Sequence, residues 1–250
     1  MKKRIIFFCL ALLLLAPFCW GGEPNLDLAW RISFRERNVG YSISHFSSVY
    51  RGEDVLLKEE GIKKISADIA VMKIAFFEET QTLWDTHGFV KEFASDRDIN
   101  GAHERREANR KADGSVAWRL VKGGETYERV YKREDFDYTG RDLYLNTLEK
   151  KPGPVSYRVL SVSDGNVHTI TYQALGLEEV MGSTGLVSCS RISIKSSKGD
   201  GVFLVNDLGL PLCFNLDFFL GAFSFSPCAL DEANRAIFGY VDGDDSSPEK

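Results

Sequence analysis

The chain has 250 residues, a formal net charge of −5 and an aromatic fraction of 12%. This acidic balance excludes the broad basic surface on which nucleic-acid binding depends, and no Lys/Arg-rich run is interleaved with aromatic residues. The length is sufficient for one domain of ordinary size with its own apolar core.

Residues 1–21 have the pattern of a secretory signal peptide. Residues 2–4 are basic, residues 5–15 are apolar, and the small residues Gly21 and Gly22 follow. Cleavage there leaves 28 basic against 36 acidic side chains, which is a net charge of −8. The apolar run is too short to span a bilayer, so we expect an exported periplasmic protein that does not span the membrane. A lipid anchor on Cys19 is the alternative.

Alternating apolar and polar residues predict an antiparallel meander in the first half of the chain. Residues 30–34 have the period of two that a half-buried strand requires, and further strands are predicted at residues 39–50 and from residue 55. Turn residues then divide residues 65–133 into short strands. The predicted turns lie at residues 85–88, 97–101, 111–114 and 122–124.

Two features of this meander depart from regular alternation. The apolar phase slips near Met72-Lys73, where we expect a β-bulge or a corner. Residues 102–109 (AHERREAN) have the length of a strand but almost no apolar face. This predicts an edge strand, or a strand with both faces wet, whose mixed charges limit edge pairing. Binding of a polar partner by the same charges is the alternative.

In the second half, the predicted strands follow a break in the pattern. Asp, Gly and Pro interrupt residues 134–153, which we interpret as a linker between two halves of one sheet. Asp164-Gly165-Asn166 is the strongest hairpin signal in the chain. The strands are predicted at residues 155–163, 167–175, 185–196, 202–206, 210–219 and 222–226. A helix is predicted at residues 229–240, and the acidic residues 241–250 are predicted to be disordered.

The predicted fold is therefore all-β, with one domain over residues 22–240. It is a long antiparallel meander that curls into a roll or open barrel and ends in one short C-terminal helix. The last predicted strand pair carries Phe residues that the pattern assigns to both faces, so each face needs a cover. The helix shields part of one of them.

Cys213 and Cys228 are predicted to form a disulfide. They stand seven residues on either side of Leu220-Gly221, so a hairpin turning there places them opposite each other. The oxidising periplasm preserves such a bond. Cys189 is left over, and we interpret it as a small buried residue.

Several aromatic residues are predicted to bind an apolar ligand, because a curved antiparallel sheet that is not fully packed encloses an apolar cavity. Packing in a filled core is the alternative, and it is the commoner explanation for such residues. The predicted ligand-binding residues are Trp84, Trp118, Phe214, Phe218 and Phe223.

No catalytic residue, metal site or cofactor is predicted. The sequence lacks a Gly-x-Ser-x-Gly nucleophile motif and a Gly-rich phosphate loop. Its 4 histidines are scattered, with no pair at metal-ligand spacing. Paired Glu residues recur too often along the chain for any one pair to indicate a catalytic dyad. We expect a protein without enzymatic activity.

The order of motifs resembles a known but uncharacterised family. The motifs are Trp84 followed by Gly88-Phe89-Val90, then Asn100-Gly101, Gly176-Leu177-Glu178-Glu179 and Asp207-Leu208-Gly209-Leu210-Pro211. Together they resemble a family of exported bacterial β-rich proteins known only as a domain of unknown function, over residues 28–226. An aromatic Trp-Tyr-Asp-like cluster expected before the last turn is replaced here by Phe203-Leu204-Val205-Asn206-Asp207.

Two functions follow from these features. The predicted shape is similar to periplasmic lipoprotein carriers, whose curved sheet encloses a hydrophobic cavity, and this implies a binding or carrier protein for a lipid or acyl chain. The second hypothesis is a non-enzymatic envelope assembly or structural factor that contacts another envelope protein at an exposed sheet edge. The first requires an apolar cavity, and the second requires an unpaired edge strand.

Overall fold

The computed structural model describes residues 26–69, 72–147, 153–182, 185–197, 199–218 and 221–239. These residues form one antiparallel sheet of 14 strands with two short α-helices, which confirms the predicted all-β fold with its C-terminal helix. The strands are β1 Leu26–Phe34, β2 Arg37–Arg51, β3 Asp54–Ile69, β4 Met72–Trp84, β5 Val90–Ile99, β6 Ala102–Arg110, β7 Val116–Lys122, β8 Glu125–Tyr131, β9 Val155–Ser161, β10 Asn166–Gly182, β11 Gly185–Ser196, β12 Gly199–Val205, β13 Pro211–Phe218 and β14 Gly221–Pro227. The helices are α1 Arg141–Thr147 and α2 Leu230–Phe238. The predicted signal peptide and acidic tail lie outside the described residues.

The sheet consists of two meanders that meet at their first and last strands. Strands β1 to β8 lie side by side in chain order, β9 to β14 do the same, and β1 pairs with β14. Burial recurs at every second residue of β1, at Trp30, Ile32 and Phe34. The register with neighbouring strands extends this buried face around the whole sheet, and we call it the inner face.

The two sheet edges, β8 and β9, approach each other without pairing as strands. Trp118 donates its indole N–H to the carbonyl of Val162 at 2.9 Å, and the Tyr131 hydroxyl donates to the carbonyl of Gly165 at 2.5 Å. Gly165 has a φ of +63°, and a Cβ there would lie 2.3 Å from the Trp118 ring, so only glycine fits. Side chains therefore join the edges of a sheet that is rolled but not closed.

The segment that was interpreted as a linker contributes to the core. Phe136 is 1% exposed and belongs to a cluster at the join between the edges. The following helix α1 lies across one end of the roll, because the amide of Asp142 donates to the carbonyl of Gly88 at 2.9 Å. A Cβ at Gly88 or at Gly209 would lie within 3 Å of Leu145, so α1 contacts turns from both meanders.

The slip of the apolar phase near Met72 is a hairpin, and neither a bulge nor a corner. Strand β3 ends at Ile69, β4 begins at Met72, and these two residues are paired. Residues 69–72 contain no Gly, Pro, Asn or Asp. Because the usual turn residues are absent, the apolar alternation alone predicted one interrupted strand and not two paired strands.

The prediction for residues 102–109 was wrong. They form β6, which lies between β5 and β7 inside the sheet, and the edge of this meander is β8. Ala108 and Glu104 are buried on the inner face. A charged strand can occupy an interior position here because its inner neighbours carry complementary charges, as described below.

Among the described residues, the aromatic side chains of the last strand pair share one face, while Phe219, which alternation assigns to the face opposite Phe218, lies outside them. Phe214 pairs with Phe225 and Leu216 pairs with Phe223, so these side chains share the inner face. The outer positions carry polar residues such as Asn215. Helix α2 does not cover this pair.

Helix α2 lies instead on the outer face of the first three strands. Arg31 of β1 forms an ion pair with Glu232 at 2.6 Å, and Lys64 of β3 donates to the carbonyl of Ile237 at 2.8 Å. Gly239 ends the helix in the left-handed conformation, with a φ of +70°. The helix therefore leaves the inner face of β13 and β14 uncovered.

The register of this hairpin does not support the predicted disulfide. Because Phe214 pairs with Phe225, Cys213 stands opposite Ser226 and not opposite Cys228. Cys213, Cys228 and Cys189 are all free thiols in the structure. The sequence argument placed the centre of the turn one residue too far along the chain, which displaces every cross-strand partner by two residues.

Candidate functional site

One side of the inner face is a row of aromatic rings, which we call the aromatic wall: Phe34, Phe203, Phe214, Phe223 and Phe225. The ring of Phe214 stacks between those of Phe203 and Phe225, with centroid distances of 5.1 and 4.1 Å. Phe34 and Phe223 are in contact at 4.8 Å. Phe203, Phe214, Phe223 and Phe225 are only half-buried although they lie on the inner face. Their remaining exposed surface therefore lies on the inner side of the sheet.

The five predicted ligand-binding residues fall into two groups. Phe214 and Phe223 belong to the aromatic wall, and Phe218 occupies a backbone position on the same face of β13. Trp118 is buried in the core cluster at the join between the edges. Trp84 is half-buried, packs against that cluster and lies beside Gly140. The structure thus places the tryptophans away from the row that the phenylalanines form.

Opposite charges alternate across five adjacent strands on the other side of the inner face. Lys63, Glu78, Arg97, Glu104 and Lys122 are direct cross-strand partners in that order, and we call them the charge ladder. Lys63 Nζ lies 3.7 Å from a Glu78 oxygen, and Arg97 Nε donates to Glu78 at 3.0 Å. Lys122 Nζ lies 2.6 Å from Glu104. Each carboxylate therefore contacts cations from neighbouring strands.

The carboxylates of the ladder are its most buried members. Glu78 is 5% exposed and Glu104 is 3% exposed, whereas the side chain of Lys122 is 55% exposed. Burial alone raises the pKa of Glu78, but Lys63 and Arg97 outweigh it and hold the pKa below its ordinary value. Burial acts the same way on the pKa of Glu104, and Lys122 and Arg106 outweigh it. Both carboxylates are therefore ionised at neutral pH.

Arg106 lies beside the ladder in a row of hydroxyl side chains. Its register partner is Ser95, which is followed across the sheet by Thr80, Gly61 and Ser44. One guanidinium nitrogen, Nη2, bonds to Glu104. The other, Nη1, is buried and has no hydrogen-bond acceptor within the described part of the chain. A buried N–H without an acceptor is energetically unfavourable, so Nη1 of Arg106 is a candidate donor to a bound acceptor group.

A cavity of about 80 Å³ adjoins this row. Its lining combines the hydroxyl groups of Ser42, Ser44 and Thr80 with the ladder residues Lys63 and Glu78 and with the carboxyl of Glu59. Burial raises the pKa of the Glu59 carboxyl, with Ser44 and Trp84 acting in the opposite direction. The polar side of the inner face can therefore hold a small polar group.

Sequence reasoning missed the charge ladder although the signal was present. The turn that was predicted at residues 97–101 is confined to Asn100-Gly101, and it sets Arg97 of β5 opposite Glu104. The period of two in β6 places Glu104 and Arg106 on the same face as Ala108. Together, the turn and the alternation identify Arg97 and Glu104 as oppositely charged cross-strand partners. The composition of residues 102–109 alone had suggested a solvated edge strand.

A second concave region lies on the outer face, beside α2. This groove has a volume of about 490 Å³. Apolar residues such as Ile43, Ile62 and Phe238 line it together with the acidic Glu60, Glu79 and Asp96. Its acidic lining and open form suit an apolar chain less well than the aromatic wall does.

Two further properties concern the described residues only. None of their helices is both long and apolar enough to cross a bilayer. They also bring together no group of three or more His, Cys, Asp or Glu side chains that could hold a metal ion.

Comparison with known proteins relates this chain to uncharacterised domains. No family model matches the chain, and no curated protein matches it. It is similar to the crystal structure of a beta-barrel-like protein of the domain of unknown function DUF1849 from Brucella abortus, with a TM-score of 0.58 and 13% identity, over 81% of this chain and 94% of that one. A DUF1089 family protein from Pseudomonas aeruginosa has a TM-score of 0.42 and 13% identity, over 71% and 90% of the two chains. At this identity, the first likeness shows the fold: a β-barrel-like domain of unknown function.

Proposed function

We propose that this protein is an exported periplasmic binding or carrier protein for an apolar ligand, such as a lipid or an acyl chain. The observation that carries the proposal is the aromatic wall. Its five phenylalanines lie on the inner face of a rolled sheet, and all of them except the buried Phe34 are only half-buried. Moving one Phe side chain out of water stabilises a protein by about 1.5–3 kcal/mol, so exposed rings within a roll favour an apolar occupant.

The ends of the roll support the same function. Tyr144 of α1 packs against Phe203 at a centroid distance of 6.1 Å, and burial raises the pKa of Tyr144. The helix therefore places apolar groups next to the wall at one end. An apolar chain lying along the wall would be shielded from water at that end.

Export and the absence of catalysis are parts of this proposal. The basic, apolar and small-residue pattern of residues 1–21 supports export. A role without catalysis accords with a sequence that lacks the common nucleophile and phosphate-loop motifs. A periplasmic carrier needs only a site that an apolar molecule enters and leaves.

Native mass spectrometry of the protein from a periplasmic extract tests export and ligand together. We expect a polypeptide mass that lacks residues 1–21 and a second species heavier by one small apolar molecule. A polypeptide that retains the leader, or that carries a lipid covalently on Cys19, would contradict processing after Gly21. A spectrum of the ligand-free protein alone, with no uptake of added fatty acid, would contradict the carrier function.

Replacing Phe214 by alanine is expected to weaken binding of a fluorescent fatty acid by at least about tenfold, because one Phe contact contributes about 1.5–3 kcal/mol. The loss of stability should stay below the about 3–5 kcal/mol typical of a fully buried Phe, since Phe214 is half-buried. Fluorescence titration and chemical denaturation measure the two effects.

Phe238→Ala is the matched control for Phe214→Ala. Phe238 lies on α2 and lines the outer groove. We expect this variant to bind the probe like the unaltered protein. If Phe238→Ala weakens binding while Phe214→Ala does not, the ligand lies in the outer groove and the aromatic wall is not the site.

A second function, an envelope assembly or structural factor, is favoured by the exposed edge. Strand β8 pairs only with β7 among the described strands, and Val130 and Tyr127 on it are exposed. A partner strand could add to this edge. If the protein takes up no apolar molecule but co-purifies with an envelope protein, and a Val130→Pro change abolishes that contact, this function replaces the carrier.

A further inference from the structure

The inner face is divided into two chemically different sides. Strands β12 to β14 and β1 carry the aromatic wall, and strands β3 to β7 carry the charge ladder with Arg106. In the sheet order, β2 separates these two groups, while the far edges approach each other through Trp118 and Tyr131. Because the sheet rolls up, the apolar and the charged sides border the same interior.

The charged side has an excess of positive charge. With Arg106, the ladder contains four basic and two acidic side chains, and Glu59 beside Lys63 adds one more carboxyl, within a chain whose overall charge is −5. Glu125 continues the register beyond Lys122, but it lies on the exposed edge strand β8 and bonds to Tyr127. Solvent screens that charge, whereas the buried members interact in a medium that screens weakly.

Arg106 shows that the protein's own carboxylates do not satisfy this excess. Glu104 is bonded to both Arg106 and Lys122, and Glu78 is bonded to Arg97 and lies near Lys63. The buried Nη1 of Arg106 then has no acceptor within the described residues. An oxyanion is the group that accepts from a guanidinium and from lysines at once.

We propose that the ligand is an anionic amphiphile whose phosphate or carboxylate headgroup is bound by Arg106 and the basic members of the charge ladder, while its chain lies along the aromatic wall. This rests on the carrier function proposed above and names its ligand class. Arg106 donates to the headgroup from inside the roll. Lys122, which is half-exposed, contacts the headgroup at its solvent side.

The test uses probes that divide the ligand into its parts. Lysophosphatidic acid contains the chain and the phosphate, monoacylglycerol with the same chain lacks the phosphate, and glycerol 3-phosphate lacks the chain. Affinities for the full mature chain are measured by calorimetry below the critical micelle concentrations. We expect lysophosphatidic acid to bind at least about tenfold more tightly than monoacylglycerol, because charge-assisted hydrogen bonds are the stronger class.

Three variants locate the headgroup. Arg106→Gln and Lys122→Gln are expected to remove most of the preference for lysophosphatidic acid and to leave monoacylglycerol binding unchanged. Lys122 is exposed at the end of β7, so its variant remains informative even if Arg106→Gln does not fold. Lys58→Gln removes the same charge from the outer face of β3, where Lys58 pairs with Glu60, and should retain the preference.

Each outcome decides between the proposals. Equal binding of the two lipids, a preference that survives in both inner variants, or an equal loss in Lys58→Gln would overturn the headgroup assignment while the carrier function stands. Glycerol 3-phosphate binding as tightly as lysophosphatidic acid would show a site for free anions and not for an amphiphile. Binding of neither lipid would overturn the carrier function itself.

Discussion

Replacing Phe136 by alanine is expected to lower the free energy of unfolding by about 3–5 kcal/mol, the usual effect of removing a fully buried Phe side chain. Phe136 is 1% exposed and packs with Trp118, Leu160 and Val162 where the two sheet edges meet. Its removal leaves a cavity at the only place where described residues of β7 and of the β9–β10 hairpin share a core. Urea denaturation followed by tryptophan fluorescence measures the effect.

Tyr127→Ala is the control for Phe136→Ala. It removes an aromatic ring nine residues earlier in the chain, but Tyr127 lies on the edge strand β8 and is 49% exposed. Substitution of an exposed residue usually changes stability by about 0.5 kcal/mol or less. If both variants have this small effect, Phe136 does not hold the edges together, and the segment between β8 and β9 acts as a simple connection.

Glu104→Ala is also expected to lower the free energy of unfolding by about 3–5 kcal/mol, because breaking a buried ion pair leaves its partner charged and desolvated. Here two cations, Arg106 and Lys122, lose their shared carboxylate. Glu107→Ala is the matched control on the same strand. Glu107 faces outward and pairs with Arg105 at 2.9 Å, where an exposed ion pair contributes about 0–1 kcal/mol.

The effect of Glu104→Ala should depend on pH. Burial opposes ionisation of Glu104, but the neighbouring cations prevail and lower its pKa below that of the unfolded chain. A carboxyl with a lowered pKa stabilises the fold above the unfolded-state value of about 4.3 and loses this contribution as pH falls through the folded-state pKa. We therefore expect the difference between the unaltered protein and Glu104→Ala to be full at neutral pH and to shrink in acid. A difference that is constant across this range would contradict an ionised Glu104.

Most of the strands could be predicted because their signals are local. Alternation in residues 30–34 and the turn residues Asn100-Gly101 and Asp164-Gly165-Asn166 depend only on neighbours in the sequence, and they mark strands and turns in the structure. The hairpin between Ile69 and Met72 was missed because its sequence lacks turn residues. Helix α1 was missed because it is short and begins among residues that also favour turns, so its stability depends on contacts with Gly88 and Gly209.

The candidate site could be predicted only in part. Phe214 and Phe223 were identified from their apolar character, and the structure places them side by side with Phe225 on one face. The charge ladder was missed because residues 102–109 were judged by hydropathy alone. A strand whose composition suggests exposure can be buried when its charges have partners on adjacent strands, and for Glu104 of β6 those partners come from β5 and β7.

By itself, the sequence determined which residues alternate and where most turns lie, since strand period and turn conformation are properties of short segments. Only the tertiary structure decided which face is the inside. That depends on the pairing of β1 with β14 and on the contacts of Trp118 with Val162, which join residues far apart in the chain. The same long-range pairing places the aromatic rings and the alternating charges around one interior. The reason is that many backbone hydrogen bonds fix the register of each strand, so the position of a side chain depends on its strand partners and not on its sequence neighbours.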